Sequence, residues 1–154
     1  MNTDQSRGLI VGVGTEYGDD AFGLLVARHL ARRTYENITI ITHPGEGASL
    51  METWQGYERV VIVDCAASGA SIASRYTFNA SIERIPTKML RYSTHAFGVA
   101  EAIETARALG RLPERLVVIA VEGQSFNAGE SVDERLASLV APIAAEALAA
   151  VSGH

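Results

Sequence analysis

Residues 8–30 read GLIVGVGTEYGDDAFGLLVARHL, and the hydrophobic pattern changes within this single stretch. The run at 8–13 is apolar on both faces, which is typical of a strand in a parallel sheet that helices cover on both sides. After the glycine-rich turn, the apolar residues recur at helical spacing and predict a helix over 20–33. The stretch therefore predicts a strand–turn–helix unit of an α/β protein.

The same alternation continues along the chain. Further Val- and Ile-rich runs of strand length occur at 37–42, 59–63 and 115–121. Further helical patterns occur at 47–55, 95–109 and 132–150. Pro142 lies inside the last helical pattern and predicts a kink or a restart of that helix. The alternating segment 75–82 is compatible with an extra edge strand, parallel or antiparallel.

This order of elements predicts the fold class. We expect one domain over residues 1–154, built as a three-layer α/β sandwich. Its twisted, mostly parallel sheet should have about five strands, with helices on both faces. Ligands of such sheets bind beyond the carboxyl ends of the strands, so the residues that follow the strands are the first candidates for chemistry.

Composition and charge exclude several classes of protein. The chain has 154 residues, of which 47% are hydrophobic and 20% charged, so a packed core is expected. With 13 basic and 18 acidic residues and no long basic run, neither nucleic acid nor an anionic membrane is expected as a partner. The polar start, MNTDQSRG, and strand-length apolar runs predict neither a signal peptide nor a membrane span. A single cysteine, Cys65, predicts a reducing, cytoplasmic location.

The turn after the first run carries three glycines and two acids. Gly12, Gly14 and Gly18 are spaced G-x-G-x-x-x-G rather than as a dinucleotide fingerprint. Two carboxylates would also stand where a pyrophosphate should bind, so a nucleotide site is disfavoured. We expect Asp19 to cap the following helix. One cap is sufficient, and Asp20 is then left without a structural role.

Two more polar side chains lie where strands end or helices begin. Asp64 directly follows the buried run VVIV, and His95 follows Ser93 and Thr94 at the start of a helical pattern. Asp20, Asp64 and His95 should therefore converge on one edge of the sheet. Two carboxylates and an imidazole suit a divalent cation, and three protein ligands leave open positions, as in catalytic metal sites.

Four segments in order resemble the hydrogenase maturation endopeptidases, which process the large subunit of nickel-iron hydrogenases. The segments are GVGTEYGDDAFGLLVARHL, PGEGASLMETW, RVVIVDCAASG and STHAFGVAEAI. The resemblance extends over essentially the whole chain and implies the same kind of fold, a mostly parallel sheet between helices. It also implies a hydrolase that cuts a short C-terminal tail from its client once nickel has been inserted.

The resemblance implies roles for particular residues. Asp20, Asp64 and His95 match the positions of the family's metal ligands, and they are the predicted catalytic and metal-binding residues. The resemblance also implies that the cation is nickel, supplied by the large-subunit precursor, with zinc or another divalent ion as an expected surrogate. Gly14, Gly45 and Gly47 are expected to let the backbone approach the substrate.

This chain departs from the family pattern in two places. The first turn is one residue shorter than expected between Gly14 and Asp19. The family commonly has an Asp-Gly-Gly-Thr-like stretch where this chain has His-Pro-Gly-Glu-Gly at 43–47. Glu46 or His43 supplies the missing polar function to the substrate, or the turn is altered without a functional consequence, and the sequence leaves both open.

Two alternative functions remain at this stage. Cys65 follows Asp64 and would be a thiol nucleophile if His95 activated it, although neighbouring residues of a strand point in opposite directions. The second alternative is a non-proteolytic escort module that binds the large subunit in a nickel-dependent manner, because the same three ligands would serve it.

Overall fold

The computed structural model describes residues 6–86 and 97–152 and contains a five-stranded sheet between two layers of helices. The strands are β1 (Gly8–Val13), β2 (Ile38–His43), β3 (Arg59–Ala66), β4 (Arg75–Asn79) and β5 (Arg115–Glu122). Their order across the sheet is β2-β1-β3-β5-β4. The predicted fold class, with its mostly parallel sheet of about five strands, is confirmed.

Pairing between the strands places the carboxyl ends of β1 and β3 side by side. β1 pairs in parallel with both β2 and β3, and β3 pairs in parallel with β5. β4 is antiparallel to β5 and forms one edge, so the segment at 75–82 contains an antiparallel strand that ends at Asn79. β3 continues to Ala66, beyond the predicted run 59–63, so that Asp64 and Cys65 lie within the strand.

Helices cover both faces of the sheet. α2 (Gly47–Thr53) and α3 (Val99–Leu109) pack through Leu50 and Ile103 on the first face, against the β3 residues Val60 and Ile62. α1 (Phe22–Leu30), α4 (Glu134–Ala137) and α5 (Val140–Val151) pack on the second face, where the core includes the alternate β3 residues. Both faces of the central strands are therefore buried, as the unbroken Val and Ile runs predicted.

Some helix boundaries differ from the expected ones. The pattern at 20–33 begins as a 3₁₀ turn, Gly18–Ala21, and continues as α1 only from Phe22. The pattern at 132–150 is divided into α4 and α5, which confirms the restart, and Pro142 lies in the first turn of α5, where a missing N–H costs no helical bond. α3 begins at Val99, and the residues expected before it at 95 and 96 lie outside the described ranges.

The helices of the described residues can be compared with the length and hydropathy of a membrane-spanning helix. Within 6–86 and 97–152, none combines the length and the apolar character needed to cross a bilayer.

Candidate functional site

Two buried carboxylates lie together at the carboxyl edge of the sheet. Asp20 belongs to the 3₁₀ turn that follows β1, and Asp64 belongs to β3, the strand beside β1. Their exposed fractions are only 5% and 7%. Burial and then charge repulsion from the Asp20 carboxylate raise the pKa of Asp64, so the two groups are close enough to interact. The structure thus brings together two of the three residues expected to converge at this edge.

Asp20 is held by the turn that precedes it. Thr15 Oγ1 donates a hydrogen bond of 2.7 Å to Asp20 Oδ2, and Thr15 N donates to the backbone oxygen of Asp20. Burial raises the pKa of Asp20 from 3.8 to about 6, against the opposing effect of hydrogen bonding from Thr15 to the carboxylate. A Cβ atom on Gly14 would lie 2.1 Å from the Asp20 backbone oxygen, so only glycine allows the turn to pack this closely.

The environment of Asp64 disfavours the ionised carboxylate even more than the environment of Asp20 does. Burial is the main cause that raises its pKa well above 3.8, and the neighbouring Asp20 adds to it. Against these effects, the Cys65 backbone N–H donates a hydrogen bond of 2.7 Å to Asp64 Oδ1. A shared proton or a divalent cation would stabilise this buried pair of carboxylates, because either one removes their repulsion.

Asp19 does not cap the helix, and that prediction was wrong. Its buried carboxylate accepts three backbone N–H bonds, from Gln124 at 2.8 Å, Ser125 at 3.1 Å and Asp133 at 2.9 Å. Tyr17 occupies the N-cap position of the 3₁₀ turn and makes no side-chain cap bond. Asp19 therefore clamps the segment 124–133 onto the turn that carries Asp20.

Glu122, which was not among the predicted site residues, holds another loop in a similar way. This last residue of β5 is 1% exposed. Its carboxylate accepts hydrogen bonds from Ser68 N at 2.9 Å, Gly69 N at 3.1 Å and Ser68 Oγ at 2.6 Å. It therefore fixes the loop that leaves β3. Like Asp64, Glu122 is an acid at the end of a buried Val- and Ile-rich run, and this pattern is the sequence signal that marks it.

Cys65 points away from the carboxylate pair into the second core. Its side chain is 1% exposed and packs among apolar residues such as Val63 and Ile119. Burial raises the pKa of the thiol strongly, and nearby carboxylates, Asp64 first, raise it further. A buried thiol in acidic surroundings is a poor nucleophile, which disfavours the thiol hydrolase alternative.

We expect Cys65 to be inert towards Ellman's reagent in the native protein. The reason is that the reagent attacks thiolates, and this thiol is both protonated and enclosed. Absorbance at neutral pH should show no fast reaction, and full reaction should follow addition of denaturant. Stoichiometric labelling of the native protein within minutes would restore Cys65 as a candidate nucleophile.

The loop at 43–47 is held mainly by its own contacts. Glu46 is the N-cap of α2 and accepts a hydrogen bond of 3.0 Å from Ser49 N. The buried His43 accepts one of 2.9 Å at Nδ1 from Gly45 N, and its Nε2 lies 3.1 Å from Ser49 Oγ. A Cβ on Gly47 would meet the Phe97 ring at 2.3 Å. These residues have structural roles, and contact with substrate through Gly14, Gly45, Glu46 and Gly47 stays a prediction.

The third expected ligand, His95, belongs to the segment 87–96. His95 and Ser93 lie outside the described residues, so the predicted ligand set of Asp20, Asp64 and His95 stays a prediction. Phe97, the first residue described after that gap, accepts a hydrogen bond of 2.8 Å from Gly47 N through its backbone oxygen. Within the described ranges, no group of three metal-ligating side chains is close enough to hold an ion.

Fold and site together define a class of protein: an open α/β sandwich with a buried carboxylate pair at the carboxyl edge of its sheet. Residues 24–150 match the model of the hydrogenase maturation protease family. The chain belongs to that family, and the resemblance seen in the sequence is confirmed.

Individual relatives agree with this assignment. The hydrogenase expression/formation protein HupD of Bradyrhizobium diazoefficiens is 26% identical over 122 residues, which are 77% of this chain and 63% of HupD. HupD of Rhizobium leguminosarum bv. viciae is 26% identical over 73% of this chain and 57% of its own length. The chain therefore spans less than two thirds of these curated relatives.

Solved structures show the same fold. The hydrogenase maturating endopeptidase HybD from Escherichia coli superimposes with a TM-score of 0.75 at 20% identity, over 96% of this chain and 93% of that protein. The [NiFe] hydrogenase maturation protease HycI from Thermococcus kodakarensis KOD1 has a TM-score of 0.67 at 24% identity, with 91% of each chain covered. At these identities the likeness supports the fold and not the details of the site.

Proposed function

We propose that this protein is an endopeptidase that removes the C-terminal tail from the large-subunit precursor of a nickel-iron hydrogenase. Membership of the maturation protease family gives the class of reaction. The observation that carries the proposal is the buried pair Asp20 and Asp64, whose pKa values are both raised at the edge of the sheet where α/β proteins bind ligands.

Nickel enters this proposal as part of the substrate. Both carboxylates are costly to ionise, so they should bind a cation presented by a partner strongly. His95, predicted as the third ligand, would add an imidazole nitrogen. A nickel ion held by the precursor and by these side chains would join the two proteins and place the scissile bond beside the site.

The residues described here supply positioning rather than an obvious nucleophile. Cys65 faces the core, and hydrolysis therefore requires water as the attacking group. The cation can polarise the scissile carbonyl or the attacking water, and the carboxylates hold it in either route. We further propose that the reaction takes place in the cytoplasm, in keeping with the single, unpaired Cys65.

We expect the protein to remove the tail from nickel-loaded precursor and to leave nickel-free precursor and casein uncut. The reason is that binding and orientation both depend on the shared ion. Intact-mass measurement of purified precursor, with and without nickel, detects the loss of the tail. Cleavage at equal rates in both forms would contradict the role of nickel, and nickel-dependent binding without any product would favour the escort alternative.

A further inference from the structure

A groove with arginines along its rim lies between the end of α1 and α5. One part has a volume of about 610 Å³, and its lining includes Arg32, Arg33 and Leu148. A second part of about 470 Å³ is lined by Arg28 among others and shares Arg32 with the first. Because α1 has nine residues, its two ends are about 13 Å apart. The first part, at the C-terminal end of α1, is therefore separated from Asp20, which precedes the other end of α1. The second part extends back along α1 to Leu25.

The charge of this groove is opposite to that of the chain. Arg28, Arg32 and Arg33 line it together with His29, and none of the lining residues in the described part of the chain is acidic. The chain as a whole has a net charge of −5. A positive patch on an acidic protein attracts negatively charged partners and steers their approach.

These arginines are largely free to bind a partner. The Arg33 side chain makes no hydrogen bond or ion pair with any residue that the structure describes. Within 6–86 and 97–152, Arg32 donates only to His29, at 3.2 Å to its backbone oxygen and 2.7 Å to Nδ1. Arg28 pairs with Glu16 at 2.8 Å, but both side chains are more than half exposed, so that pair contributes little.

Between the charged residues the floor of the groove is apolar. Leu30 and Ala144 are buried in the core, and Leu148 is half-buried beside them. Ala141 and Ala145 also line the groove, and their small side chains leave space for a side chain of a partner. This surface favours an occupant that inserts an apolar side chain and presents carboxylates to the arginines on either side. A nucleic acid backbone would use the charge but gain nothing from the apolar floor.

We propose that this arginine-rimmed groove docks an acidic protein segment and that the segment belongs to the hydrogenase precursor. The second part rests on the proposed function. Docking here would hold the client at a surface distinct from the carboxylate pair, so that client affinity would not depend only on nickel and the tail. Charge complementarity selects an acidic segment, and the apolar floor selects one with a Leu-sized or smaller anchor.

A peptide of alternating Glu and Leu, labelled with a neutral dye, tests the groove without any client. Fluorescence anisotropy should show binding at least about tenfold tighter than for the Gln and Leu counterpart, and added salt should weaken it. Arg32→Glu with Arg33→Glu should lose that preference. Arg84→Glu with Arg111→Glu is the matched control, since it makes the same charge change at two exposed arginines outside the groove and should bind as the wild type does.

Two results would overturn the docking proposal. One is equal binding of the Glu peptide to the wild type and to the Arg32→Glu/Arg33→Glu variant. The other is tighter binding of a short DNA duplex than of the Glu peptide at the same salt concentration.

Processing of the precursor tests the client separately. The groove variant should raise KM for nickel-loaded precursor at least about tenfold and leave kcat unchanged, because the groove touches no reacting atom. An unchanged KM with lost peptide binding would mean that the acidic segment does not belong to the client. Absence of processing by every variant, including the wild type, would overturn the proposed function and leave the peptide result intact.

Discussion

Asp64→Asn should reduce tail removal at least about 100-fold and should not destabilise the protein. The loss follows because asparagine is a neutral and much weaker ligand for a divalent cation than a carboxylate. The retained stability follows from the environment of Asp64. Burial and the neighbouring Asp20 both disfavour the ionised carboxyl, and an amide of the same shape keeps an oxygen that accepts the Cys65 N–H bond.

The pH dependence of stability checks the same reasoning. A carboxyl group whose pKa is raised on folding stabilises the fold fully below its unfolded pKa, and the effect is lost as pH rises through its folded pKa. For Asp20 this window runs from 3.8 to about 6, and Asp64 extends it upward. Urea unfolding of the metal-free protein should therefore show a free energy of unfolding that falls across this window, and less steeply in Asp64→Asn.

Glu16→Gln is the matched control for both measurements. Glu16 lies in the same turn as Thr15 but is exposed, and among the described residues it pairs only with Arg28. Its replacement should change neither processing nor the pH dependence. If Asp64→Asn processed the precursor at the wild-type rate, Asp64 would not bind the cation. If this variant were markedly less stable than the wild type at pH 7, ionised Asp64 beside Asp20 would not be a source of instability in the folded protein.

The order of elements was predictable because it depends on local patterns. The Val and Ile runs at 8–13 and 115–121 are buried on both faces, and their short length and β-branched residues favour a strand over a buried helix. The same local reasoning placed Asp20 and Asp64 at one edge, since parallel strands bring their carboxyl ends together. The structure confirms that these two residues lie at this edge, while their role as ligands stays a prediction, as does that of His95.

The role of Asp19 could not be predicted from its neighbours in sequence. Its three backbone donors lie in the segment 124–133, more than 100 residues away along the chain. An acid beside a helix start has an obvious local use as a cap, and only the folded chain shows that a distant loop satisfies it instead. The two adjacent acids, Asp19 and Asp20, therefore look alike in the sequence and differ fully in their environment.

This difference predicts opposite effects of one substitution at adjacent positions. Asp19→Asn should lower the free energy of unfolding by about 2–4 kcal/mol, because the amide nitrogen would face a buried N–H and leave it unsatisfied. Asp20→Asn should cause no loss, because the pKa of Asp20 is already raised by burial and asparagine can still accept the bond from Thr15. Urea unfolding at pH 7 measures both, and each variant serves as the control for the other.

Hydrogen exchange locates the effect of Asp19→Asn in the structure. The amides of Gln124, Ser125 and Asp133 should lose protection in this variant and keep it in Asp20→Asn, since Asp19 accepts their hydrogen bonds. Tail removal should be affected in the opposite order. Asp20→Asn should remain folded and lose this activity, whereas Asp19→Asn should retain part of the activity at temperatures at which the segment 124–133 stays bound to the turn. Equal destabilisation by the two substitutions, or unchanged protection of all three amides in Asp19→Asn, would show that the clamp does not stabilise the turn that carries Asp20.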